Sequence, residues 1–186
     1  MRYKEFNSNK VLEDCITLFW KNGYGSCSIK DIVEQTRVNR YSLYNEFENK
    51  DGILLAALSL YRERYSDKRF QLLQAEGPLN NTLLDFYSAF LNETEAHVPG
   101  CFVIYIASEK ADSDPIIKAR LDHYLSDLEE HFRQLLSKHG IEGTRQDSVV
   151  KRLTGLFCNS TCYCVIQSPE ERISYIKNSL NLILNE

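Results

Sequence analysis

Glycine and proline punctuate this chain sparsely: eight glycines and four prolines fall at intervals rather than in runs across 186 residues. The stretches between them carry apolar residues three and four positions apart, the period of one helix face, and none shows the strict alternation of a half-buried strand. No internal repeat recurs. Such a chain folds as helices joined by short turns, so the fold class is all-α with about nine helices.

The first fifty residues read as three short helices. Asn7 or Ser8 caps the first, whose apolar positions are Val11, Leu12, Cys15, Ile16, Phe19 and Trp20, and Gly23 ends it. Ser28-Ile-Lys-Asp31 is a capping box with Asp in the place of Glu, and it opens a second helix that turns Ile29, Ile32 and Val33 inward. Thr36-Arg37-Val38 is a tight connection. Asn39 caps a third helix running to Phe47, anchored by Val38, Leu43 and Phe47. Beyond Lys50-Asp51-Gly52 the segments lengthen, with helices expected over roughly 52–74, 79–96 and Cys101 to about Lys110. Asp114-Pro115, a cap followed by a proline at the first helical position, opens a helix to about Lys138 with Gly140 as its stop. Capping boxes at Thr144–Asp147 and Ser168–Glu171 open two more, roughly 145–167 and 169–185. The division follows: residues 1–50 form one module and residues 51–186 a larger helical domain.

Composition narrows the function. No run of about 18 apolar residues occurs, and the polar start MRYKEFNSNK lacks the apolar core of a secretory leader, so a cytoplasmic protein is expected, without contact to a membrane. The six cysteines form no CxxC pair and are expected to be reduced, buried thiols. The alternative is a thiol sensor built on Cys101 or on the Cys158/Cys162/Cys164 cluster. The net charge of −4 is uneven: residues 1–50 hold eight Lys/Arg against seven Asp/Glu, a net of +1, and the remainder holds 14 against 19, a net of −5. Lys30, Arg37, Arg40 and Lys50 lie where a polyanion would be met.

Three short helices, the second and third joined by a tight turn, are the arrangement of a helix-turn-helix. The third helix must offer a polar face to the major groove while its apolar face is held from behind. Leu43 and Phe47 supply the anchor, leaving Arg40, Tyr41, Ser42, Tyr44 and Asn45 on or near the outward side. Arginine suits guanine, and hydroxyls suit phosphates or base edges. A short core helix with a polar rim would show the same periodicity, so the pattern alone does not decide.

The residues themselves go further. Leu18-Phe19, Gly23-Tyr24, Ser28-Ile29, Ile32-Val33, Val38-Asn39, Leu43-Tyr44, Phe47, Lys50 and Leu54 stand at spacings that resemble the TetR/AcrR family of bacterial transcriptional regulators, over about residues 8–58. The resemblance implies an N-terminal DNA-binding domain and a C-terminal domain for ligand binding and dimerisation. It implies double-stranded operator DNA as partner, a small-molecule inducer, and a repressor. The DNA-contacting set carried over is Ser28, Lys30, Arg40, Tyr41, Ser42, Tyr44 and Lys50, with Arg37 and the helix N-terminus at Asn39 added from charge and position. Tyr41 stands where many members have a small residue, and Thr36-Arg37 where many have Ala-Gly, so the operator sequence does not carry over.

In the larger domain, the last two helices are the dimer candidates. The final helix offers Ile173, Ile176, Leu180, Ile183 and Leu184, and the helix before it Val149, Leu153, Leu156 and Phe157 with small residues Gly155, Ser160 and Cys162. A two-fold dimer sets recognition helices about one DNA turn apart, roughly 34–36 Å, and calls for a near-palindromic site. Aromatic residues at helical spacing more often fill a core than line a pocket. The candidate ligand contacts are Tyr61, Tyr65, Phe86, Phe90, Phe102, Tyr105 and Tyr124, with Glu109 as the polar group if it points inward. His123, Asp127 and His131 share one helix face, but the two histidines are two turns, about 12 Å, apart, which excludes one ion between them. No metal or cofactor is expected. An enzyme is not expected either: the chain has no nucleophile elbow, phosphate loop, HExxH or paired catalytic carboxylates.

Overall fold

The computed structural model describes residues 6–91 and 99–185. Among them every regular element is helical. In the N-terminal part, α1 (Ser8–Asn22), α2 (Ile29–Thr36) and α3 (Arg40–Phe47) follow one another closely. A long rod then begins with α4 (Lys50–Tyr61), continues through a π-helical stretch Arg62–Ser66 and α5 (Asp67–Phe70), and ends in a 3-10 turn Gln71–Gln74. The remaining elements are α6 (Leu79–Leu91), α7 (Phe102–Lys110), α8 (Pro115–Lys138), α9 (Gly143–Tyr163) with a 3-10 turn Cys164–Ile166, and α10 (Pro169–Asn185). Counting the rod as one helix gives nine among the described residues. None is long and apolar enough to cross a membrane.

The local chemistry of the caps accounts for most boundaries. Asn7 accepts from Lys10 N–H, Ser28 and Asp31 form the reciprocal box, and Asp114 accepts from Ile116 and Ile117 N–H ahead of Pro115. At Ser168 the box is also complete, Ser168 N–H donating to Glu171 at 2.7 Å and Glu171 N–H to Ser168 Oγ at 3.2 Å. The box expected at Thr144 is not used: α9 begins at Gly143, after Glu142, whose side chain makes no capping bond. The helix expected over 79–96 runs to Leu91, and its last residues lie outside the described ones.

The core has two aromatic centres. Trp20, Tyr61 and Phe102 meet where α1, α4 and α7 converge, with ring centroids 5.6–5.7 Å apart. Phe70, Phe86, Phe90, Tyr124, Phe132 and Phe157 fill the space between α5, α6, α8 and α9, all of them essentially without exposure. Each such side chain contributes on the order of 1.5–3 kcal/mol. The π-helical stretch carries Ser66 inward, where its hydroxyl accepts from Tyr124 Oη at 3.1 Å, and Tyr124 Oη lies 3.3 Å from Cys101 Sγ. Three polar groups that would be costly alone thereby satisfy one another.

Candidate nucleic-acid interface and effector cavity

The α2–turn–α3 unit is fixed by side-chain bonds that the sequence encodes locally. The Asp31 carboxylate accepts from Ser28 N–H and Ser28 Oγ, both at 2.7 Å, and these bonds hold its pKa below the usual carboxylate value. In the turn, Thr36 Oγ1 donates to Ile32 O at 2.7 Å and accepts from Val38 N–H at 3.3 Å. Arg37 sits in the left-handed region, φ 59° and ψ 18°, the conformation glycine adopts without strain. Asn39 Oδ1 accepts from Ser42 N–H at 2.9 Å and starts α3. Leu43 is fully buried beneath it, which fixes which face of α3 looks out.

That outward face carries Arg40, Tyr41, Tyr44 and Asn45 around one shallow concavity. Tyr41 is 66% exposed, unusual for a large aromatic residue with only structural work to do. The Arg40 guanidinium lies 5.0 Å from the centroid of the Tyr44 ring, which restrains a long cationic side chain on the exposed face. Of the remaining expected contacts, Lys30 is exposed on the first turn of α2, 3.8 Å from Glu34, and Arg37 is exposed in the turn. Ser28 and Asn39 stand at the two helix N-termini, with their side chains engaged as caps, and Ser42 is half-buried. Lys50 is turned toward the α1–α2 turn, donating to Tyr24 O at 2.7 Å with its ammonium 4.1 Å from that ring's centroid.

Tyr24, which the sequence offers as part of the resemblance but with no site role, joins three elements. Its hydroxyl donates to Asp51 at 2.5 Å, its backbone N–H donates to Glu109 at 2.9 Å, and burial together with Asp51 pushes its pKa well up. The only signal for it is the Gly-Tyr pair that closes α1.

In the larger domain a cavity of about 590 Å³ opens between α4, α7 and the first half of α8. Leu58, Val103, Ala107, Ile117, Leu121 and Tyr124 form apolar wall, and Ser59, Arg62, Glu63, Asp67, Arg120 and His123 are among its polar lining. Arg62 is tied to Asp67 and Asp127, and Arg120 donates to Ser59 at 2.9 Å. Of the eight expected ligand contacts, Tyr124 alone lines this cavity. Tyr61, Phe86, Phe90 and Phe102 are packed into the core, and Tyr65 lies against Tyr61 at 5.4 Å. Tyr105 is half-buried and Glu109 is exposed on the face of α7 toward the α1–α2 turn, so Glu109 does not point inward. The buried tyrosine hydroxyls already have partners, Tyr61 with Arg69 at 3.1 Å and Tyr87 with Leu153 O at 2.7 Å. His123 lies 3.6 Å from Asp127, while His131 Nδ1 is 2.7 Å from Asp127 O. Among the described residues no three His, Cys, Asp or Glu converge as a metal site.

The thiols do not favour a sensor. Cys15, Cys27, Cys101 and Cys164 are buried and Cys158 is half-buried, leaving Cys162 as the exposed one. Burial pushes Cys15 up to about 12 and Cys158 and Cys164 up to about 11, and it raises Cys101 as well, the reverse of what a reactive thiolate needs. On the dimer-candidate helices, Val149, Leu153, Leu156, Phe157, Ile176 and Leu180 are buried within the chain itself. The residues left facing out include Gly155, Cys162, Tyr163 and Leu182.

The arrangement is a capped helix-turn-helix seated on a helical domain that has a cavity of its own. Residues 11–57 match the family model described as bacterial regulatory proteins, tetR family. It is similar to the HTH-type transcriptional repressor ComR of Escherichia coli (strain K12), 37% identical over 106 residues, covering 55% of this chain and 50% of ComR. The chain thus aligns with half the length of that relative. It also resembles the uncharacterized HTH-type transcriptional regulator YezE of Bacillus subtilis (strain 168), 26% identical over 70% of this chain and 69% of YezE. Among solved structures, the TetR family regulator CifR, as a cysteine mutant complexed with 26bp double-strand operator DNA, superposes with a TM-score of 0.83 at 16% identity, over 97% of this chain and 98% of that one. Reduced E. coli NemR gives 0.77 at 18% identity, over 96% of each chain. These structures share the fold, and the curated relatives are regulators rather than enzymes.

Proposed function

We propose that this chain is a ligand-responsive DNA-binding transcriptional regulator, a repressor that binds a near-palindromic operator as a homodimer and is released by a small, largely apolar inducer. One observation carries the DNA-binding reading. Arg40, Tyr41 and Tyr44 share the outward face of a helix that is capped at Asn39 and anchored at Leu43, with Arg40 held against the Tyr44 ring. That is a preorganised groove-reading surface, with exposed cations at Lys30 and Arg37 beside it for phosphates. Ser28, Asn39, Ser42 and Lys50 complete the proposed contact set, through helix N-termini and the phosphate-facing ends of the module. Repression is supported by the similarity to the repressor ComR, and operator DNA as partner by the complex of CifR.

The inducer site is proposed as the cavity between α4, α7 and α8, with Tyr124 the one retained member of the expected contacts. Its inner wall is apolar, Arg62 is paired with Asp67 and Arg120 is bonded to Ser59, which supports an apolar ligand body. Dimerisation is proposed through α9 and α10, using the outward residues rather than those already committed to the core. The test is enrichment of duplexes from a random library, followed by titration of the enriched duplex. Arg40→Ala is expected to cost about 1–3 kcal/mol and to relax selectivity at one base position per half-site. Unchanged affinity for Arg40→Ala would remove α3 from the groove.

A further inference from the structure

The outward face of α3 has a centre as well as edges. At about 100° per residue, Asn45 stands about 180° from the midpoint of Leu43 and Phe47, the fully buried and half-buried side chains turned to the core. Tyr41 falls one turn before Asn45 and about 40° from it, whereas Tyr44 and Glu46 fall about 100° to either side. On one flank Arg40 lies against the Tyr44 ring. On the other, Ser8 Oγ donates to Glu46 Oε1 at 2.9 Å and ties that carboxylate to the start of α1. Asn45 is thus the side chain that a duplex laid against α3 meets head-on, and the resemblance assigns it no contact. Asparagine is also out of place there as a structural residue. It favours helix ends, where its amide can accept a backbone N–H, over helix interiors. Asn7, Asn39 and Asn49 serve in that way, accepting from Lys10, Ser42 and Gly52. Asn45 is the sixth of the eight residues of α3, is exposed, and its amide has no hydrogen-bond partner among the described residues. Its Oδ1 acceptor and Nδ2 donors are left for a partner outside the chain.

We infer that Asn45 is a specificity-determining residue that reads one adenine in the major groove of each half-site, Oδ1 accepting from the N6 amine while Nδ2 donates to N7. The inference rests on the DNA-binding reading above. Adenine is the base whose major-groove edge offers a donor and an acceptor side by side, as the amide does. Guanine offers two acceptors, O6 and N7, so Oδ1 would be left facing O6. Cytosine offers only its N4 donor, and thymine only O4 beside a methyl group, so each leaves half of the amide unpaired. In the same concavity Arg40 carries donors alone, which suit guanine rather than adenine. The two side chains therefore call for two different purines in one half-site.

The experiment enriches duplexes from a random library with the full chain, wild type and Asn45→Ala in parallel, and measures affinities by fluorescence anisotropy. One position in each half-site should relax in the variant, and in the wild-type set that position should be adenine. Replacing this adenine in one half-site by another base should weaken wild-type binding about ten- to a hundredfold and leave the variant within about twofold. 7-Deazaadenine at the same place keeps the N6 amine and lacks N7. It should weaken the wild type about tenfold and leave the variant unmoved. Alanine is the better helix former, so Asn45→Ala should melt at or above the wild-type temperature, which separates lost selectivity from lost folding. A relaxed position that is not adenine, no relaxed position, or 7-deazaadenine weakening both proteins alike would each overturn the inference. In all three cases the enriched duplex stands, and the DNA-binding reading with it. If the wild type enriches no duplex, that reading falls first and this inference with it.

Discussion

Gly100 sets where α7 begins, and the cost of filling it can be worked from the geometry. Its φ is +110°, and an added Cβ would come 2.6 Å from Thr161 O and 3.3 Å from Cys164 Sγ, while its N–H donates to Phe90 O at 2.8 Å. Gly100→Ala therefore meets two penalties. The backbone conformation costs an L-residue about 1–2 kcal/mol. The collision is with a backbone carbonyl of α9 that cannot rotate away, and overpacking of this kind costs about 1–3 kcal/mol more. The sum, about 2–5 kcal/mol, is a large part of the stability of an ordinary domain. Gly140→Ala is the matched control: φ is +73° and nothing lies within 4 Å of the added Cβ, so only the backbone penalty applies. Urea unfolding of both variants at one protein concentration, followed by far-UV circular dichroism, separates the two terms. Gly100→Ala should lose at least about 1 kcal/mol more than Gly140→Ala, the lower end of the overpacking range. Equal losses would show that α7 and α9 are not in close contact at Gly100, and the cavity wall described above would lose its anchor.

Two further outcomes follow from the same structure. Because burial holds the pKa of Cys158 and Cys164 near 11 and that of Cys15 near 12, these groups stay protonated thiols below that range. In the folded protein at pH 8 an aromatic disulfide reagent should therefore titrate Cys162 first, with all six thiols reacting only after unfolding; rapid reaction of Cys101 in the native state would revive the sensor reading. Gly155 lies exposed inside α9 with nothing within 4 Å, so Gly155→Ala should stabilise an isolated chain by up to about 1 kcal/mol through helix propensity. If α9 packs on a second copy there, the same change weakens the dimer in sedimentation equilibrium, and a stabilised dimer would move the interface elsewhere.

The legible parts of the fold are those decided within a few residues. Asn7, Ser28, Asn39, Asp114 and Ser168 announce helix starts because a short polar side chain can reach a backbone N–H two or three positions on, and each expected start is found there. The outward face of α3 was legible for the same reason, since burying Leu43 leaves Arg40, Tyr41 and Tyr44 no other side. What sequence could not settle were choices made by distant partners. Phe86 and Phe102 have the periodicity of either a core or a pocket, and only the rings packed against them decide for the core. Glu109 is a ligand contact only if it points inward, a choice the sequence leaves open, and its carboxylate instead accepts the backbone N–H of Tyr24. The apolar stripes of α9 and α10 likewise serve this chain's own interior at Phe157, Ile176 and Leu180. The π-helical stretch at Arg62–Ser66 has no local signature, and it places Ser66 beneath Tyr124.

The most direct test of the account is binding of the full chain to its enriched duplex across a salt series, with the stoichiometry measured in the same samples. The expected result is one dimer per two-fold symmetric duplex, a preference of at least about 10³ over scrambled DNA, and an affinity that falls linearly on a log–log plot with a slope of about −0.9 for each phosphate neutralised. A chain that enriches no duplex, or that binds every sequence alike with a slope near zero, would contradict it.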